Sequence, residues 1–333
     1  MLTLKKHPDN VEVCLLKTGK KITSVYWHPV RNPELRNAVS DVSGFDSEAF
    51  RDRFGLSPGQ SSQILDHLNS GTTPEDKLQK VFFKVKRFIE DRLYSEMDLG
   101  KSNQELVLKY PKGNDTWGEL MLCCGASSSG KSYFLFKRVK DNLDGAEKNK
   151  RRFTIISNEF NKDKTLDKLG LRKEKYRNWI HGIDVSDDSL ENSPHETPQA
   201  FYDKEVKPFI DEARPGQVLI FDDCQDSCCN VQLRHAINKC QRTSRHDSVG
   251  LAFILHSIRS GIWSSTASSN CKYFVLFPRS QRGKCRDFLN KEMGSTLREA
   301  REHVADFSQS GRAMIVRLFS PQCLIGEKMI RLL

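Results

Sequence analysis

Two patterns of apolar and polar positions divide this chain. From about residue 113 onward, short apolar runs recur between longer polar or amphipathic stretches. These runs are Leu120-Met121-Leu122-Cys123-Cys124, Phe153-Thr154-Ile155-Ile156, Val218-Leu219-Ile220-Phe221, Leu251-Ala252-Phe253-Ile254-Leu255, Tyr273-Phe274-Val275-Leu276-Phe277 and Met314-Ile315-Val316-Arg317-Leu318. Each is apolar almost continuously rather than at alternate positions, which suits a strand covered on both faces. Helical stretches between such strands predict an α/β fold, a mostly parallel sheet flanked by helices. Ligands of such sheets gather at the carboxyl ends of the strands. Between about 161 and 213 the chain is polar and holds the acidic stretch Asp184 to Glu196. A surface insertion is expected there, ahead of a helix around Pro198 to Ala213.

Residues 1–112 lack that alternation. Turn-rich pieces (His28-Pro29, Asn32-Pro33, Ser57-Pro58-Gly59, Gly71-Thr72-Thr73-Pro74) break the region up. After Pro74, Leu78, Val81, Phe82, Val85, Phe88, Ile89 and Leu93 recur at threes and fours, the stripe of an amphipathic helix. The division this suggests is an accessory domain over 1–112, mixed or mainly helical, and a second domain over 113–333.

The strongest chemical signal follows the first apolar run. Gly125-Ala126-Ser127-Ser128-Ser129-Gly130-Lys131-Ser132 fits the pattern GxxxxGK[ST], with a predicted strand before it and a predicted helix after it. The two glycines let the backbone turn tightly, so that successive N–H groups can wrap a phosphate. The following helix aims the positive end of its dipole at the same anion. In such a loop the lysine bridges the β- and γ-oxygens of a nucleoside triphosphate, and the serine ligates Mg²⁺. Lys131 and Ser132 hold those positions.

A second carboxylate strand is required to hold the metal's water shell. Val218-Leu219-Ile220-Phe221 ends in Asp222-Asp223. Asp222 is the candidate Mg²⁺ partner through water. Asp223 is the candidate general base for the attacking water. A doubled acid argues for hydrolysis rather than transfer to a small acceptor.

Charge and cysteine content refine the picture. The formal net charge is +10 at pH 7, an excess that favours polyanionic partners. Basic clusters stand at Lys137-Arg138-Val139-Lys140 and Lys148-Asn149-Lys150-Arg151-Arg152. The ten cysteines sit in a chain whose N-terminus, MLTLKKHPDN, lacks the apolar core of an export signal. Reduced thiols and an intracellular location are therefore expected. Cys224, Cys228, Cys229 and Cys240 do not have the spacing of a zinc ribbon. No run of about 18 apolar residues is present, so no membrane span is expected.

These elements in this order resemble a family. A phosphate loop is followed by the acid pair Asp222-Asp223, then a helix, then Ser244-Arg245-His246-Asp247-Ser248, then the strand to Leu255. Over roughly residues 117 to 290 this is similar to viral genome-packaging ATPases of the FtsK/HerA superfamily. The poxvirus packaging ATPase and its relatives in other large DNA viruses, virophages and virus-like transposons are the nearest pattern. The resemblance implies a P-loop NTPase core of the ASCE/RecA-like type, using ATP and Mg²⁺ to translocate double-stranded DNA into a capsid. It also implies a homo-oligomeric ring, a capsid or portal partner, and a host-cell site of action, in nucleus or cytoplasm, or in the virion. Arg245 matches the arginine finger that reaches a neighbouring subunit's γ-phosphate, with Arg242 as the reserve. Where the family usually carries a sensor glutamine, this chain has His256, followed by Ser257. Either a sensor role or a structural one is open to that histidine. A non-packaging DNA pump of the same superfamily, or an ATP-dependent switch that ignores DNA, are the alternative functions. The segment Ser257 to Ser269 is the candidate DNA-contacting loop.

Overall fold

The computed structural model describes residues 2–4, 6, 8–27, 48–70, 72–75, 78–86, 96–100, 102–107, 120–145, 150–256, 271–319 and 321–333. The chain packs as two compact units, Met1–Val107 together with Met329–Leu333, and Leu108–Lys328. The division suggested by the sequence lies at 112 instead, with the second domain running to the C-terminus.

In the first unit, β1 (Leu2–Thr3), β2 (Val11–Thr18), β3 (Lys21–Trp27) and β5 (Gln104–Val107) form an antiparallel sheet in the order β1-β3-β2-β5. β4 (Glu96–Asp98) pairs antiparallel with β14 (Met329–Leu332). Helices Glu48–Phe54 and Pro58–Ser70 and a helical stretch over 79–86 complete it. The stripe predicted after Pro74 faces inward: Phe82 and Val85 are buried with Leu56, Ile64 and Leu68, and Leu78 and Val81 pack against them. The stripe positions Phe88, Ile89 and Leu93 lie outside the described residues.

The second unit is the α/β core. Its strands are β6 (Leu120–Cys124), β7 (Phe153–Ser157), β8 (Ile180–Asp184), β9 (Val218–Asp222), β10 (Gly250–Leu255), β11 (Cys271–Leu276), β12 (Met314–Arg317) and β13 (Cys323–Ile325). They lie in the order β13-β12-β11-β6-β10-β9-β7-β8. From β11 to β8 every neighbouring pair is parallel, and β12 and β13 add antiparallel. Every residue of β6, β9 and β10 is buried, which is the reason those runs read as continuously apolar. Phe221 and Phe253 sit opposite each other on β9 and β10 and stack at 5.1 Å between ring centroids.

One expectation changes. The polar region 161–213 is not an insertion outside the sheet, because Ile180-His181-Gly182-Ile183-Asp184 pairs with β7 as β8. An edge strand is covered incompletely, so its sequence lacks a long apolar run. The helix foreseen from Pro198 to Ala213 is present as one unbroken helical run over 198–211, in which Tyr202–Val206 forms a π-helical turn between Pro198–Phe201 and Lys207–Asp211. Pro208 lacks the N–H that would bond back four residues in a regular α-helix, which fits the π-helical turn just before it. Thiols at Cys224, Cys229 and Cys240 are buried and that of Cys228 is half-buried.

Candidate functional site

The carboxyl ends of β6, β10, β9 and β7 are tied together beyond the sheet. Gly125 N–H donates to Leu255 O (3.1 Å), Asp223 N–H to Ile254 O (3.3 Å) and Asn158 N–H to Asp222 O (3.3 Å). The segments leaving those strands therefore converge on one edge, where they line a cleft of about 540 Å³.

The phosphate loop forms one wall. Gly130 has φ +101°, outside the range that suits a side chain, and caps the helix Lys131–Leu143. A Cβ on Gly125 would lie 2.5 Å from Ser129 Oγ and 2.8 Å from Phe277 Cδ2, so only glycine fits the start of the loop. Ser128 also takes a left-handed conformation at φ +62°. Lys131 is buried, and its Nζ donates to Ala126 O at 3.3 Å. Ser127, Ser128, Lys131 and Ser132 line the cleft directly.

Opposite stand the paired acids. Asp222 is buried, and its Oδ1 has no hydrogen-bond partner. Burial pushes its carboxyl well above the usual range, aided by the charges of Asp223 and Asp163 and opposed by Lys131. Asp223 sits at φ +47°, a left-handed turn that ends β9 and swings its side chain out of the strand's alternation. Burial raises its carboxyl as well, while His256 and Lys131 pull it back down. Its Oδ1 is likewise buried and unpartnered.

His256 connects the two walls. Its Nε2 lies 3.0 Å from Asp223 Oδ2, and its Nδ1 lies 3.2 Å from Lys131 Nζ. An ammonium can only donate, so Nδ1 accepts from Lys131 and Nε2–H donates to Asp223. Ser127 Oγ approaches the same Nδ1 at 3.5 Å. His256 is thus wired to both the phosphate-loop lysine and the candidate base.

This cleft suits a nucleoside triphosphate with its metal. Ser129 Oγ, Asn158 Oδ1, Asp222 Oδ1 and Asp223 Oδ1 are buried polar atoms without partners, and they belong to the elements that converge on this edge. Oxygen donors of hydroxyl and carboxylate type are what Mg²⁺ prefers. Ser132 and Asp222 are the residues that would hold it, and the ion's chemistry there is to neutralise charge on the phosphates.

Several lining residues were not anticipated: Ser157, Asn158 and Glu159 at and just past the end of β7, then Lys162, Asp163, Lys164 and Asp226. The signal was available for the first three, since they fall where a predicted strand ends, at the edge where ligands gather. Arg245 belongs to the helix Asn230–Asp247 rather than to a loop after it, and its side chain lies outside the described residues. Arg242, on the same helix, is not among the residues lining the cleft. Among the described lining residues the cations are lysines, with no arginine. Ser257 to Ser269 also lies outside the described residues.

A mostly parallel sheet with a phosphate loop after one strand and paired acids after another defines a P-loop NTPase core. No family model matches the chain, and no curated protein matches it. Among solved structures, it is similar to the genome packaging NTPase B204 from Sulfolobus turreted icosahedral virus 2 in complex with ATP-gammaS. That match has 16% identity and a TM-score of 0.38, and covers 66% of this chain and 100% of that one. A second is the pCW3 conjugation coupling protein TcpA with ATPgS, at 12% identity and TM-score 0.37, over 70% of this chain and 65% of that one. A third is the cytoplasmic domain of the Thermomonospora curvata Type VII secretion ATPase EccC. It has 13% identity and TM-score 0.41, over 71% of this chain and 29% of that one.

Proposed function

We propose that this protein hydrolyses ATP to drive double-stranded DNA into a viral capsid, working as a ring of identical subunits. The hydrolytic part rests on one observation above all: Asp223 and Lys131 face each other across the cleft, joined through His256. Lys131 neutralises the terminal phosphates, Asp222 and Ser132 hold the metal, and Asp223 takes a proton from the attacking water. By donating to Oδ2, His256 favours the ionised, proton-accepting form of Asp223 against the effect of burial.

The motor part is supported by the family resemblance across the loop, the acid pair and the Arg245-His246 segment, and by the net charge of +10. A ring accounts for the absence of an arginine among the described lining residues, because Arg245 of one subunit would complete the site of the next.

The test is the steady-state ATPase rate with and without double-stranded DNA, over a range of salt, with Lys131→Ala as the blank. Stimulation by DNA that fades with salt supports the motor. Turnover that ignores DNA, even when a portal partner is present, removes translocation and leaves an ATP-dependent switch. In assembled rings, Arg245→Ala should lose about 10³–10⁵ in rate if it is the finger. Mixing it with Lys131→Ala subunits should restore part of that loss if the two residues meet across an interface.

A further inference from the structure

Parallel strands have two ends, and the core carries a second cleft at the amino ends of β7, β8 and β9. It measures about 410 Å³ and is lined by residues that precede or open those strands, together with part of the helix Lys207–Asp211. Strands of this length span about 16 Å, so this cleft lies across the sheet's width from the phosphate loop. Local structure holds it in place. Phe153 N–H donates to Trp179 O at 2.7 Å, Val218 N–H donates to Arg152 O at 2.9 Å, and Gln217 Oε1 accepts from Arg214 N–H at 2.8 Å.

Its chemistry is cationic and aromatic together. Arg152, Arg177 and Arg214 line it against a single lining carboxylate, Glu212. Arg177 has an exposed partner in Glu174 at 3.3 Å, whereas Arg152 and Arg214 carry no ion pair among the described residues. Between the arginines lie Trp179 and the stacked rings of His181 and Phe209, 3.9 Å apart at 19°. Phe209 leaves 37% of its surface exposed, unusual for a phenylalanine. Lys150 adds a further cation 5.7 Å over the Trp179 ring. Lys150 and Arg152 belong to the second basic cluster of the sequence, so that cluster is part of a built cleft rather than of a plain solvated face.

Guanidinium groups recognise phosphates and aromatic rings stack on unpaired bases, and the two together are the usual surface for single-stranded nucleic acid. We propose that this cleft binds a nucleotide unit, its phosphate on Arg152 and Arg214 and its base against the Phe209–His181 and Trp179 rings. Such a unit can come from a nucleic-acid strand or from a free nucleotide. The site is separate from the phosphate loop and stands whether or not the chain pumps DNA.

The experiment uses the full chain carrying Lys131→Ala, in EDTA, so that the phosphate loop does not contribute. Fluorescence anisotropy of a labelled dT15 oligonucleotide is measured over a salt series, against unlabelled dTMP and against poly-glutamate as competitors. Phe209→Ala should weaken oligonucleotide binding about 5-fold or more. The double variant Arg152→Ala with Arg214→Ala should flatten the slope of log affinity against log salt by about 1.4, because two phosphates no longer meet a guanidinium. Displacement by dTMP assigns the site to free nucleotides, and failure of dTMP to displace assigns it to a strand. Binding unchanged in both variants overturns the proposal, as does poly-glutamate competing as well as unlabelled dT15. The double variant alters charge at the rim rather than the buried core, so it keeps the test sound if Phe209→Ala does not fold. ATP binding by the same substitutions with Lys131 restored should match wild type, which separates loss of this site from loss of the NTPase core.

Discussion

His256 Nε2 stands 3.0 Å from Asp223 Oδ2, and through this pair the end of β10 sets the state of the acid at the end of β9. Burial raises the Asp223 carboxyl, and the neighbouring histidine and Lys131 are what hold it down. Replacing His256 by Ala removes one of those restraints, so the carboxyl rises further. A base works only when ionised, so the acid limb of the pH–rate profile should move to higher pH. Steady-state ATPase rates measured across a pH series check this. An acid limb that does not move means that Asp223 is not the base or that the pair is not formed.

Asp223→Asn should bind ATP normally and lose about 10²–10⁴ in kcat, the usual contribution of a positioned base. Lys131→Ala should instead lose both affinity and turnover, because the lysine serves ground state and transition state alike. Binding by a fluorescent ATP analogue, set beside single-turnover hydrolysis, separates the two. Equal losses of affinity in both variants would contradict these roles.

Asp222→Asn should make the protein more stable and less active. The Asp222 carboxyl is raised in the fold by burial and by Asp223 and Asp163. A raised acid means that the folded chain holds a proton the unfolded chain has released. Stability is therefore lost as pH climbs from the unfolded value of about 3.9 toward the folded one. Asparagine does not titrate and escapes that loss. Without nucleotide, its melting temperature at pH 7 should exceed wild type by about 2–4 °C for each kcal/mol relieved, and the gap should close below about pH 4. Calorimetry at the two pH values decides it.

Gly125→Ala should disturb the loop without touching a charged group. The added carbon meets Ser129 Oγ at 2.5 Å and Phe277 Cδ2 at 2.8 Å, so the loop must shift. Loss of one backbone hydrogen bond to a charged phosphate weakens ATP binding about tenfold or more. Isothermal titration with an ATP analogue reads this directly.

Phe253→Ala should cost about 3–5 kcal/mol, since the ring is fully buried and stacked on Phe221 at 5.1 Å. Urea unfolding should show a lower midpoint with the slope retained. A much smaller loss would mean that the two strands close over the gap.

Much of this architecture was legible because its signals are local. Continuous apolar runs marked β6, β7, β9, β10, β11 and β12, and Gly130 is demanded by the backbone path itself, at φ +101°. The stripe at Leu78, Val81, Phe82 and Val85 was readable for the same reason, since one helix turn sets its period. What escaped depended on distant pairing. Ile180–Asp184 became a strand because β7 offered it an edge, although its own residues show little apolar pattern. Asn158 and Glu159 joined the cleft because β7 lies beside β9. The sequence by itself determined that a phosphate-loop pattern stands at Gly125–Ser132 and an acid pair at Asp222–Asp223, because both patterns are residue types at fixed spacing. Only the tertiary structure decided that His256, 125 residues from Lys131, would stand between that lysine and Asp223. Strand order brings them together, and strand order is set by which buried faces pair, an energy summed over the whole sheet rather than written in any one segment.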